Sequence, residues 1–426
     1  MDGALQLIPP PDWMPGWIVA SLAGGFSLAD FLGLFALLNF ILFFVMFEIW
    51  LERKIAGHIQ LRRGPLHVGP HGALQSPADV LKLLTKEDLM PAVADRRVFK
   101  MAPYLVFIPV FMTFLMIPFG PLPPLQNLVL RRWDTGLLYI VAVPAIGGLG
   151  MVMAGWSSGN KYSLLGAARV VAQLISYELP MVVALLGVGM LAESLSLADI
   201  VDVQRRSLWF VFLQPIGFLV FFGASMVEMS STPFDIAIAE SEIVGGPFIE
   251  YSGMRWGMFF LAEFAAVFLN AALATTLFLG GWQFFPGVDL EPLLRSVGVP
   301  VPDLGVFWFL GKTMALIVVI QWTRFTLPRL RVDQLMDLAW KVLLPASFVN
   351  LILTAILQVF GFVPFGVSLL VTMLVSLILL AASRTSRRRQ PAGRGIRRVT
   401  LPRTQSVPPL SVVGEGGRPS SGWAEG

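Results

Sequence analysis

Long apolar runs recur along this chain, and they decide its class before any motif is read. A membrane-spanning helix needs roughly 20 largely apolar residues. Runs of that kind lie near 31–51, 102–119, 136–156, 170–192, 208–227, 257–281, 306–325, 341–360 and 363–382. Inside a bilayer every backbone amide must find its partner within the protein, so such a chain folds as an all-α polytopic transmembrane helix bundle. Eight spans and a ninth at the C-terminal end are expected, the last two joined through Gly361-Phe-Val-Pro364. Composition agrees: of 426 residues 56% are hydrophobic and 14% charged, which excludes a soluble globule.

Three regions follow. Residues 1–30 carry Trp13, Trp17 and Phe26 among prolines and glycines and read as an interfacial segment. No basic stretch precedes their apolar part, which argues against a cleavable signal peptide. Residues 31–383 form the bundle with two large loops, 52–101 and 228–256. Residues 384–426 are rich in Arg, Pro, Ser and Gly and read as a basic disordered tail.

Loop charge predicts the topology. Loop 52–101 holds Arg53, Lys54, Arg62, Arg63, Lys82, Lys86, Arg96, Arg97 and Lys100; loops 157–169 and 326–340 add Lys161, Arg169, Arg329 and Arg331. The alternate loops hold only Arg131, Arg132, Arg205, Arg206 and Arg295. The excess of positive charge puts the first set in the cytoplasm together with loop 228–256, the N-terminus outside and the basic tail inside.

The most informative polar stretch is Glu228–Glu250. Five carboxylates, Glu228, Asp235, Glu240, Glu242 and Glu250, fall within 23 residues that contain no Lys or Arg. Acid so close to a bilayer is costly and points to a proton or cation path, or to docking on a charged partner. The plain alternative is a solvated acidic loop. Pro233-Phe234, Ile236-Ala-Ile-Ala239 and Ile243-Val-Gly-Gly-Pro-Phe248 favour a packed one. Glu178 and Glu263 stand inside apolar runs, and clustered acids couple one another's protonation.

Other chemistry is excluded. Cysteine is absent, so the chain has no disulfide and no thiolate for an iron–sulfur cluster. His58, His67 and His71 are the only histidines, and Gly69-Pro70 spoils the helical spacing of the last two as a metal pair. Neither GxGxxG nor GxxxxGK[ST] occurs, so no nucleotide site is indicated.

Particular stretches carry a resemblance. They are Glu52-Arg-Lys54, Arg63-Gly-Pro65, Val68-Gly-Pro70, Ala78-Asp79 and Lys86-Glu87 in the first loop. Next come Trp156-Ser-Ser-Gly-Asn-Lys-Tyr-Ser-Leu-Leu-Gly166, Ala172-Gln-Leu-Ile-Ser-Tyr-Glu178, Phe212-Leu-Gln-Pro-Ile-Gly217, Pro233-Phe-Asp235, Glu240-Ser-Glu242 and Glu250-Tyr-Ser-Gly253. Ala274-Thr-Thr-Leu-Phe-Leu-Gly-Gly-Trp282, Trp322-Thr-Arg324, Leu327-Pro-Arg-Leu-Arg331 and Asp333-Gln-Leu-Met336 complete the set. In order, over roughly residues 30–357, the chain resembles the H subunit of bacterial NADH-quinone oxidoreductase, the counterpart of mitochondrial NADH dehydrogenase subunit 1 in respiratory complex I.

The resemblance implies a membrane subunit of a proton-translocating NADH:quinone oxidoreductase in a bacterial plasma membrane. It implies a wall of the quinone chamber and an acidic path from that chamber to the pumping subunits. Glu178, Glu228, Asp235, Glu240, Glu242, Glu250 and Glu263 would form the path. Asp79, with Arg53, Arg63, Arg324 and Arg329, would line the chamber or hold the peripheral arm. Quinone would be substrate, and no catalytic residue, metal or cofactor is assigned to this chain alone. Iron–sulfur clusters and FMN would sit on partner subunits, and antiporter-like membrane subunits would be neighbours.

The chain also departs from the pattern. Met229-Ser230-Ser231 stands where Thr-Asn-Arg is usual after the first glutamate, and Ile238 where a further glutamate is usual. Leu66 stands where Asn commonly follows Arg-Gly-Pro. One cation and one anion are absent close together, as expected if they pair in the usual member, since stranding either in a dry site costs several kcal/mol. Two other functions fit the intramembrane acids: the anchor of a membrane-bound hydrogenase, and a free-standing ion-coupled transporter. The transporter lacks support from a pair of similarly broken segments marking two repeated halves.

Overall fold

The computed structural model describes residues 28–120, 133–236, 240–285 and 305–359. The elements are α1 (Leu28–Ile59), α2 (Gln75–Thr85), α3 (Arg96–Thr113), α4 (Gly136–Ser157), α5 (Lys161–Ala192), α6 (Leu197–Arg206), α7 (Phe210–Leu213), α8 (Pro215–Glu228), α9 (Glu240–Ile243), α10 (Gly253–Phe278), α11 (Gly305–Thr326), α12 (Val332–Leu338) and α13 (Leu344–Val359). A π-helical turn, Ala339–Leu343, joins α12 to α13 into one long element.

Among the described residues seven helices are long and apolar enough to cross a membrane: Gly33–Ile59, Arg96–Met116, Gly136–Ser157, Lys161–Ala192, Gly253–Phe278, Gly305–Thr326 and Val332–Val359. The all-α polytopic bundle is therefore what forms. Several helices outrun their apolar cores. The first runs past Glu52-Arg-Lys54 to Ile59, the fourth starts at Lys161 and the last at Val332. A reading of apolar runs stops at the first charge, whereas backbone hydrogen bonding does not.

The expected single span 208–227 is instead two helices. α7 ends at Leu213, Gln214 leaves helical geometry (φ −131, ψ 63), and α8 begins at Pro215. Proline lacks the amide hydrogen and disfavours helical geometry in the residue before it, so the break falls at that residue. Gln214 Nε2 bridges the gap by donating to Gly187 O at 3.1 Å and Thr354 Oγ1 at 2.8 Å. The ninth span, the interfacial segment 1–27 and the tail lie outside the described residues.

α10 is the central helix. Its apolar window is 78% buried, against 22–50% for the other spans, whose outer faces suit lipid. Small residues (Ala265, Ala271, Ala272, Ala274) alternate there with Phe264, Phe268 and Phe278, letting neighbours approach closely. Phe268 stacks on Phe44 of α1 with ring centroids 4.0 Å apart.

The loops grouped by charge do pack together. Leu89 N donates to Ser252 Oγ, Ser163 Oγ donates to Pro247 O, and Leu330 N donates to Pro233 O. Arg255 pairs with Asp88 at 2.8 Å. The opposite ends form their own set. Gln204 Nε2 donates to Thr276 O and Leu277 O, and Lys312 Nζ donates to Leu279 O at 2.6 Å and Gln283 O at 2.7 Å. Lys312 thus sits just beyond the C-terminal end of α10, where a cation is favoured.

Candidate functional site

The acidic segment is packed rather than wet. Ser231, Ile236, Ile243 and Tyr251 are buried. Gln173 of α5 holds the turn after α8, its Nε2 donating to Val227 O at 2.9 Å and Phe234 O at 3.2 Å. Tyr251 stacks face to face on Phe99 at 4.0 Å, and its hydroxyl donates to Phe99 O at 3.2 Å. Burial pushes the Tyr251 phenol up to about 12, despite opposing contributions from Ser157 and Arg255, so it serves as a neutral donor. A Cβ on Gly166 would lie 2.5 Å from Gly246 Cα, so α5 seats this closely against the loop backbone only because position 166 is glycine.

Three of the sequence-predicted acids meet at one place. Glu178 of α5, Glu228 at the end of α8 and Glu263 of α10 line a single cavity of about 260 Å³. Its other walls are largely aliphatic and aromatic, with Val106, Ile140, Leu174, Phe221 and Leu273 among them. Asn270 Nδ2 reaches Glu228 Oε2 at 3.5 Å. Glu178 and Glu228 are close enough for their charges to interact. Carboxyls that line one cavity can exchange protons through water held between them, and acids whose charges interact couple one another's ionisation.

The cavity connects to a charge cluster. Arg324 of α11 lies 3.3 Å from Glu52 of α1 and 3.8 Å from Glu263. Arg324 is therefore the hub that joins the first loop's margin to the acid row. Glu52 and Glu48 were not among the predicted site residues, yet Glu48 is wholly buried. The signal was present: two glutamates four apart at the end of an apolar run share one helix face, and an intramembrane acid marks a site by default.

The remaining predicted residues sit elsewhere. Asp235 pairs with Arg329 at 3.1 Å, and Glu242 with Arg169 at 2.9 Å. Asn160 Nδ2 donates to Glu250 Oε1 at 2.8 Å. Glu240 opens α9, its side chain lying outside the described part, as does Ile238. Arg53 binds Asp79 of α2 at 2.7 Å, Gln75 and Lys82 reach the same carboxylate, and Arg63 is exposed. Burial alone would raise the Asp79 pKa. The Arg53 hydrogen bond and charge, with Lys82 and Gln75, more than offset it and hold the group below the ordinary carboxylate value.

Comparison with known proteins bears on the whole of this region. A family model described as NADH dehydrogenase matches residues 32–355. The H subunit of NADH-quinone oxidoreductase from Dehalococcoides mccartyi is 48% identical over 319 residues, covering 75% of this chain and 84% of its own length. The corresponding protein of Geobacillus kaustophilus is 46% identical over 351 residues, covering 82% of this chain and all of its own. That of Rubrobacter xylanophilus is 48% identical over 309 residues, or 71% and 88%. A bundle of this architecture, matched along nearly its whole described length, belongs to the NADH dehydrogenase family as an H subunit of NADH-quinone oxidoreductase.

Proposed function

We propose that this chain walls the quinone chamber on the membrane side and carries the acidic path that couples quinone reduction to proton translocation. Converting quinone to quinol takes two electrons and two protons. The electrons come from iron–sulfur and flavin centres on partner subunits; this chain handles the protons. The observation that carries the reading is that Glu178, Glu228 and Glu263 open onto one cavity and Glu263 continues through Arg324 to Glu52. Such a row lets a change of charge at the quinone redistribute protons toward neighbouring membrane subunits.

The Arg53–Asp79 pair holds α2 against the end of α1 and forms the chamber side of the first loop. Arg329 with Asp235, and Arg169 with Glu242, brace the loop that links chamber to path. In this reading the loops 52–101 and 228–256 face the cytoplasm of a bacterium, where a peripheral arm docks, and the N-terminus lies outside.

The test is the complex purified with its partners and reconstituted in liposomes. NADH should drive quinone reduction together with acidification of one side. Glu228→Gln should lower both at least tenfold in assembled complex. Quinone reduction without proton movement in the wild type would refute the path, and partners without quinone reduction would favour a hydrogenase-type anchor.

A further inference from the structure

Arg324 faces more acid than it can neutralise. Glu48 lies one helical turn before Glu52 on α1, 0% exposed, and neither of its carboxyl oxygens has a hydrogen-bond partner among the described residues. The charges of Glu52 and Arg324 act on it. Arg324 is already engaged by Glu52 and Glu263. Asp235 is the further charge acting on this group through Glu263, and it is itself paired with Arg329. Three carboxyls thus draw on Arg324; Arg53 also acts on Glu52, but its charge is already met by Asp79. Were all ionised, the cluster would hold two uncompensated negative charges in a mostly buried site, which is very costly. A buried carboxyl kept for packing alone is normally satisfied by hydrogen bonds. Glu48 is not, and it stands one helical turn from a pair of carboxyls that already draw on the same arginine.

We propose that Glu48 is a proton-exchanging member of the Glu52–Glu263–Arg324 cluster, serving as a reserve behind Glu52. This rests on the acidic-path reading above. When Glu52 gives its proton toward the path, the O–H bond of Glu48 breaks and one forms on a Glu52 oxygen, directly or through one water. The cluster's total charge changes by one unit, and the Glu48 carboxylate left behind is held by Arg324. A proton arriving from the path reverses the step. No electron moves and no other reactant is needed.

Substitutions at position 48 separate this from a structural role. Glu48→Gln keeps the shape and loses the exchangeable proton. Glu48→Asp shortens the side chain and keeps the proton. The complete complex in liposomes is assayed for NADH-driven quinone reduction and proton translocation across pH. Glu48→Gln should lower proton-coupled turnover at least threefold and alter its pH profile, whereas Glu48→Asp should retain at least half of the wild-type rate and its profile. The reverse order, Gln working and Asp failing, would overturn the proposal, as would a wild-type pH profile in Glu48→Gln. Should Glu48→Gln fail to assemble, Glu48→Met, apolar and flexible, takes its place with the same expectation. A wild type that reduces quinone without moving protons would refute the path itself; a pumping wild type with a Glu48→Gln that pumps at the wild-type rate and pH profile would refute only the role of Glu48.

Discussion

Arg324→Met removes the cation that pairs with both Glu52 and Glu263, and its cost can be bounded from the geometry. At an effective dielectric of about 20, the contacts at 3.3 Å and 3.8 Å are worth about 5 and about 4 kcal/mol. These figures are upper bounds: they take both acids as ionised at once, whereas the pair shares a proton when Glu52 is loaded, and a stranded carboxylate escapes by taking one up. Neutralising a glutamate of ordinary pKa at pH 7 costs about 4 kcal/mol, which caps the contribution of each acid. Removing Arg324 also relieves its own desolvation. The expected destabilisation is about 3–5 kcal/mol, the range for breaking one side of a buried pair. Arg324→Met combined with Glu52→Gln strands only Glu263, so the double variant should regain about half of that loss. The assay is the thermal midpoint of the purified complex, with the amount of this subunit retained. A double variant that melts no higher than Arg324→Met would refute the argument, because it would mean that uncompensated charge is not what the arginine prevents.

Other consequences are equally direct. Asp79 titrates lower in the folded protein than in the unfolded chain, so its stabilisation is present above the unfolded value of about 3.9 and lost as pH falls through the lower, folded one. Asp79→Asn should therefore weaken retention of the peripheral arm equally at every pH between about 5 and 8; a loss confined to one end of that range would contradict it. Gly166→Ala puts a methyl group 2.5 Å from the backbone of Gly246, and should cost about 1–3 kcal/mol by overpacking, read as a lower melting midpoint. Ser231 is buried with no partner for its hydroxyl among the described residues. Ser231→Arg alone should destabilise the subunit more than Ser231→Arg with Ile238→Glu, and equal effects would show that the two positions do not pair.

Class, seven of the spans and the grouping of the loops can be read from the chain of residues. They rest on local quantities: runs of apolar residues long enough for a bilayer, and the count of lysine and arginine between them. The acidic loop is likewise marked as packed by the apolar residues interleaved with its carboxylates. The break at Gln214 was legible in principle from Pro215, but the apolar run around it masked the proline. Which acids meet is settled only by the packing of the helices. Glu178, Glu228 and Glu263 come from three helices and share a cavity, while Asp235 and Glu242, from the same acidic loop as Glu228, turn to separate arginines. Arg324 joins Glu52 across more than half the chain. No spacing rule reaches that far. A helix face is set by residues three and four apart, but the rotation and depth at which two helices pack depend on every side chain between them, and those decide which charges end up buried together.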